Sequence, residues 1–117
     1  MNAESIRKLA VEALEDAKGI DIDSIDVRTL TSITDYMIIC TGRSTRHVKT
    51  LAENVVVKAK EMKINPIRAE GEEAAEWVVV DLGDAVVHIM LAATRTFYHL
   101  EDLWEPVKEL RDHQASS

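Results

Sequence analysis

Cysteine is nearly missing from this chain. The one present, Cys40, stands inside the apolar run Tyr36 to Cys40, so intramolecular disulfides and cysteine-rich zinc sites are excluded and a reducing, cytoplasmic setting is expected. Long hydrophobic runs are missing as well. Nowhere do about eighteen apolar residues follow one another, and Met1 to Ser5 lack a charged region leading into an apolar stretch, so no secretion and no membrane partner are expected. Basic residues are outnumbered, 14 Lys and Arg against 21 Asp and Glu, and the net charge of −7 weighs against a chain that holds bare nucleic acid. Phosphate binding draws most of its affinity from clustered Lys and Arg. A basic protein partner suits the charge better, although an acidic surface also serves simply to keep a protein dissolved. Neither an internal repeat nor a low-complexity tract is visible, and the 117 residues suffice for one core without metals or disulfides.

The elements that are present alternate in type. Ile6, Leu9, Ala10, Ala13, Leu14 and Ala17 recur at three- and four-residue spacing, which predicts a helix capped by Asn2 or Ser5 and stopped at Gly19. An acidic loop, Asp21 to Ser24, then precedes a short strand from Ile25 to Thr29 and a buried strand from Tyr36 to Thr41, two pieces able to pair. A second amphipathic helix starts near Ser44 or Thr45, carries Val48, Leu51, Ala52, Val55, Ala59 and Met62 on one stripe, and ends before Asn65-Pro66. Ile67 to Glu70 reads as a brief edge strand.

Two β-branched runs in "WVVVDLGDAVVHIM" flank Gly83-Asp84, a pair suited to a two-residue type II′ hairpin turn. That register places Leu82, Ala85, Val80, Val87, Val78 and Ile89 on one aliphatic face and Trp77, Asp81, His88, Met90 and two valines on the other. The aliphatic face belongs under the helices. The mixed face is either an interaction surface or is closed by the chain's own C-terminal segment. Thr94 to Trp104 reads as a turn or short helix, and residues 106–117 as a helical or frayed tail behind a single domain spanning residues 1–105.

Chemistry has few candidates. Thr41-Gly42-Arg43-Ser44-Thr45 has one glycine and no following lysine where a phosphate loop needs several of the first and one of the second, so it reads as a helix N-cap with Gly42 releasing the backbone from the strand. The next strand offers only one carboxylate, Glu70, where a nucleotidyltransferase would need a metal-binding pair. His47, His88, His99 and His113 lie in separate segments without ligand spacing, so no metal and no cofactor are expected, and no catalytic residue is assigned. His88 reads as a neighbour hydrogen-bonded to Trp77 or as a pH-sensitive interface residue. The few aromatics crowd the C-terminal half: Phe97 is assigned to the core, Trp77 and Tyr98 to an interface.

Taken in order, "SITDYMIICTGRSTRHVKTLAENV", Glu70-Gly71, "EWVVVDLGDAVVHIM" and "TRTFYHLEDLW" resemble the ribosomal silencing factor family (RsfS, or iojap-like), over residues 5 to 105. The resemblance implies an α/β (α+β) fold, a mixed five-stranded sheet with helices in the order αββαβββα, related to nucleotidyltransferases without their catalytic carboxylates. It implies a non-enzymatic protein that binds the large ribosomal subunit through its ribosomal protein number fourteen, sterically blocks subunit association and represses translation when nutrients are scarce. A homodimer in the free state is also implied, without direct sequence-specific nucleic acid binding. The partner-binding residues to expect are then Glu70, Trp77, Asp81, Leu82, Asp84, His88, Tyr98 and Glu101, the aromatic and aliphatic ones as anchors and the carboxylates facing basic side chains. An oligomerisation or adaptor module, or a catalytically dead nucleotide binder on the same scaffold, is the alternative.

Overall fold

The computed structural model describes residues 2–98. Its elements are α1 (Ala3–Asp16), β1 (Ile20–Asp26), β2 (Tyr36–Gly42), α2 (Thr45–Glu61), β3 (Arg68–Glu70), β4 (Trp77–Asp81), β5 (Ala85–Leu91) and α3 (Ala92–Tyr98). The expected order and the mixed five-stranded sheet are both found. In space the strands run β1-β2-β5-β4-β3, and only the central pair, β2 with β5, is parallel. All seven residues of β2 are buried, as suits a strand covered on both faces.

Both long helices start as their sequences dictate. The Asn2 side chain accepts from the Ser5 amide at 2.8 Å, and Ser44 accepts from the His47 amide at 3.1 Å, each relieving one orphan donor of a first turn. The apolar stripes of α1 and α2 then lie on one face of the sheet, where Ala10, Leu14, Val48, Leu51 and Val55 close over Ile38, Val78, Val80, Val87 and Ile89. Along the outer seam between the helices, Asn54 donates to the Ala13 carbonyl at 2.6 Å and Lys58 pairs with Asp16.

The hairpin register is the one read from the sequence: Trp77 faces Met90, Val78 faces Ile89, Val79 faces His88, Val80 faces Val87 and Asp81 faces Val86. Gly83 takes the positive φ of 84° that the first central position of such a turn demands. The Leu82 amide closes the loop on the Ala85 carbonyl at 2.8 Å.

Three expectations are corrected. The supposed acidic loop at residues 21–24 is part of β1, which pairs antiparallel with β2, because the carboxylates of an edge strand stay hydrated without leaving the ladder. Gly42 is required for room rather than for rotation: a Cβ there would stand 2.6 Å from Val48 Cγ2 and 3.1 Å from the Val48 amide nitrogen. Leu82, expected among the anchors, is 3% exposed and belongs to the core under the helices. The C-terminal tail and the domain boundary at residue 105 lie outside the described residues.

Gly42→Ala is expected to cost about 1–3 kcal/mol through overpacking. In chemical denaturation the double variant Gly42→Ala, Val48→Ala should be less destabilised than the sum of the two single changes, whereas strict additivity would mean that the two positions do not touch.

Candidate functional site

The face of the sheet turned away from the long helices is built in rows, because residues paired across neighbouring strands share a side. One row runs Glu70, Val79, His88, Ile39, Asp23; the next, towards the hairpin turn, runs Arg68, Asp81, Val86, Met37, Ile25; and at the opposite end stand Trp77, Met90 and Thr41. The β1 side of this face is covered from within: Val27 and Leu30, on the connection between β1 and β2, pack with Met37, Ile39 and Met90. That cover was not legible in the Thr- and Ser-rich composition of residues 29–34. Towards β4 the cover supplied by the described residues stops, and Trp77, Val79, Asp81, Val86 and His88 are only half-buried.

Three of the expected residues meet here. The Trp77 indole N–H donates to His88 Nδ1 at 3.0 Å, with ring centroids 6.0 Å apart, and the Tyr98 ring lies 4.9 Å from that of Trp77. The hydrogen-bonded role of His88 is therefore found. Because Nδ1 accepts, the ring is neutral with its proton on Nε2, and burial pushes its pKa down to about 4. Protonation would also forfeit the indole bond.

Phe97, assigned above to the core, is instead 77% exposed and meets Tyr98 edge-on at 5.0 Å, while Tyr98 itself is 53% exposed. A helix as short as α3 buries none of its residues, and aromatic character alone was no guide to which side it presents. The patch is thus Trp77, Tyr98 and Phe97, with one member more than the sequence reading supplied.

The carboxylates are spread around it. Glu70 is exposed at the end of β3, Asp84 is exposed in the hairpin turn, and Asp81 Oδ1 is engaged locally, accepting from the Gly83 amide at 2.8 Å. Arg68 stands opposite Asp81 across the ladder, a neighbour that the sequence reading left out. Glu101 lies outside the described residues. Among the described residues no three His, Cys, Asp or Glu side chains gather as a metal-holding group, and no helix is long and apolar enough to cross a membrane. Cys40, fully buried, has its thiol pKa raised to about 11 by that burial, which leaves it unreactive.

The fold is similar to that of a crystal structure from Chromobacterium violaceum, with a TM-score of 0.87 and 51% identity over 90% of this chain and 88% of that one. The family model described as "Ribosomal silencing factor during starvation" matches residues 1–117. The chain belongs to the ribosomal silencing factor family. It is similar to the ribosomal silencing factor RsfS of Chromobacterium violaceum, 52% identical over 104 residues, 89% of this chain and 85% of that protein. It is also similar to the mouse protein named mitochondrial assembly of ribosomal large subunit protein 1, 36% identical over 99 residues, 82% of this chain and 43% of that protein.

The His88 geometry makes stability depend on pH. Its folded pKa of about 4 lies below the ordinary 6.5, so between those values the unfolded chain takes up a proton that the folded one refuses. Stability is complete above pH 6.5 and falls as pH is lowered towards 4. Between pH 7 and 4.5 the natural chain should lose about 2 kcal/mol more than His88→Gln in urea denaturation; equal losses would remove His88 from the pH response.

Proposed function

We propose that this protein docks on the large ribosomal subunit through the Trp77, Tyr98 and Phe97 patch and keeps the small subunit from joining by occupying the joining face. The contact is with ribosomal protein number fourteen of the large subunit, and translation is thereby lowered when nutrients are scarce. The observation that carries this reading is the aromatic patch itself. The Phe97 and Tyr98 rings are exposed at the rim of a sheet face where the cover from the described residues ends, and exposed Glu70 and Asp84 lie on the flanking elements. Buried aromatic anchors within a polar rim are how protein interfaces concentrate their affinity. Family membership supports the ribosomal setting, and the name of the mouse relative supports the large subunit.

The mechanism asks for no bond-making. Tyr98 and Phe97 would be desolvated on contact, Trp77 would supply the rigid floor beneath Tyr98, and the carboxylates would draw in a basic partner and set its orientation. His88 acts by holding the indole in place rather than by touching the partner. In the free state the same patch is available to a second copy of the chain. Cytoplasmic localisation follows from this reading.

Sedimentation of a lysate through a sucrose gradient should carry the protein with the large subunit. Tyr98→Ala, which removes a half-exposed ring and leaves the core intact, should weaken capture by the isolated ribosomal protein roughly tenfold, about 1.4 kcal/mol. Affinity should also fall as salt is raised. Undiminished capture by a folded Tyr98→Ala, Phe97→Ala variant would dismiss the patch as the docking surface.

A further inference from the structure

Charge is not spread evenly over this protein. Residues 43–63, which are α2 and its two flanks, hold six Lys or Arg and two Glu, whereas the rest of the chain holds eight against nineteen Asp or Glu. A chain of net charge −7 thus carries one basic element.

The helix sorts these charges by side. Val48, Leu51, Ala52, Val55 and Ala59 are buried in the core, while Arg46, Lys49, Glu53, Val57 and Lys60 follow one another at three- or four-residue spacing on the opposite side, all exposed. Lys58, turned towards α1, is paired with Asp16. Arg46, Lys49 and Lys60 form no ion pair among the described residues. Folding does not ask for them either: Arg46 stands in the first turn of α2, where the helix dipole disfavours a cation, and that turn holds no carboxylate.

A row of separated cations fits a row of separated anions. From Arg46 to Lys60 the stripe runs about 21 Å, at about 1.5 Å of rise per residue, and exposed Arg43 and Lys63 extend it past either end. A nucleic-acid backbone offers phosphates at regular intervals over such a length and is held chiefly by Lys and Arg. A protein partner would want an anchor, yet α2 has no aromatic residue and Val57 is its one exposed large apolar side chain.

We propose that the outer face of α2 lies along the phosphate backbone of folded RNA, with Arg46, Lys49 and Lys60 each opposite a phosphate. The ribosomal setting of the family selects RNA as the polymer. Such a contact reads no base sequence. It does not draw on the aromatic patch, because α2 covers the other face of the sheet and leaves both surfaces open to occupation together.

The test is fluorescence anisotropy of a labelled RNA hairpin titrated with the full chain, with a polyglutamate peptide as a competing arm. Saturable binding is expected at low salt, with log affinity falling against log salt at a slope of about −3. The triple variant Arg46→Gln, Lys49→Gln, Lys60→Gln should bind roughly tenfold more weakly and with a shallower slope. Glu53→Gln, which removes the carboxylate within the stripe, should bind more tightly. These side chains are exposed, so thermal unfolding should stay unchanged, and the Tyr98→Ala, Phe97→Ala variant should bind RNA as the natural chain does. Absence of binding at low salt overturns the proposal, as does binding that the triple variant leaves intact. Polyglutamate that displaces the RNA at equal concentration of charge also overturns it, by assigning the stripe to an acidic protein.

Discussion

The parallel pairing of β2 with β5 is the contact on which the molecule depends. Seven residue pairs join two strands far apart in sequence, from Tyr36 with Ala85 to Gly42 with Leu91. Closing so long a loop costs entropy before any contact repays it, so the pairing holds only because β2 is buried on both faces. The candidate site is placed by it: the hairpin of β4 and β5, which carries Trp77 and His88, joins the rest of the sheet through β5.

Around that pair the chain uses its polar side chains as fasteners. His47 reaches two elements at once, accepting from the Arg43 amide and bonding the Ala17 carbonyl at 2.9 Å, and so ties the start of α2 to the end of α1. Tyr36, at the first position of β2, lies between Arg7 and Arg28, each guanidinium 5.4 Å from the ring centroid, while Arg28 also grips Asp26. Thr34, buried, donates to the Gly83 carbonyl at 3.0 Å and joins the connection after β1 to the hairpin turn. The strand ends are thereby fixed where the sheet's apolar packing thins out.

What could be read in the sequence was what local chemistry decides. The Gly83-Asp84 turn sets a register, the register sorts side chains to two faces, and the aliphatic set falls under the helices as alternation demands. Helix starts were equally legible because Asn2 and Ser44 have side chains that do one job well. What escaped was decided at a distance. The cover supplied by Val27 and Leu30 depends on how a connection folds back over Met37 and Ile39, and no spacing within residues 27–34 encodes it. Phe97 was misplaced for the same reason: it is apolar, and only the surrounding elements decide whether such a residue is covered. Leu82 was named as an anchor although its register already put it on the aliphatic face under the helices. Of the candidate site, Trp77, His88 and Tyr98 could be named beforehand, but not that the three touch.

One feature of β1 bears on how this protein keeps company. Its ladder with β2 is irregular between Ile20 and Asp23, Asp21 takes a φ of 48°, and Asp21, Asp23 and Asp26 are exposed along it. At the other margin β3 is three residues long, with Arg68 and Glu70 in solvent. A foreign strand seeking to zip onto either border would meet a kink and like charges on one, and too short a template on the other. The sheet is thus closed to growth by backbone pairing, which spares it from fibrillar stacking and leaves side chains as the only language in which a companion can address it.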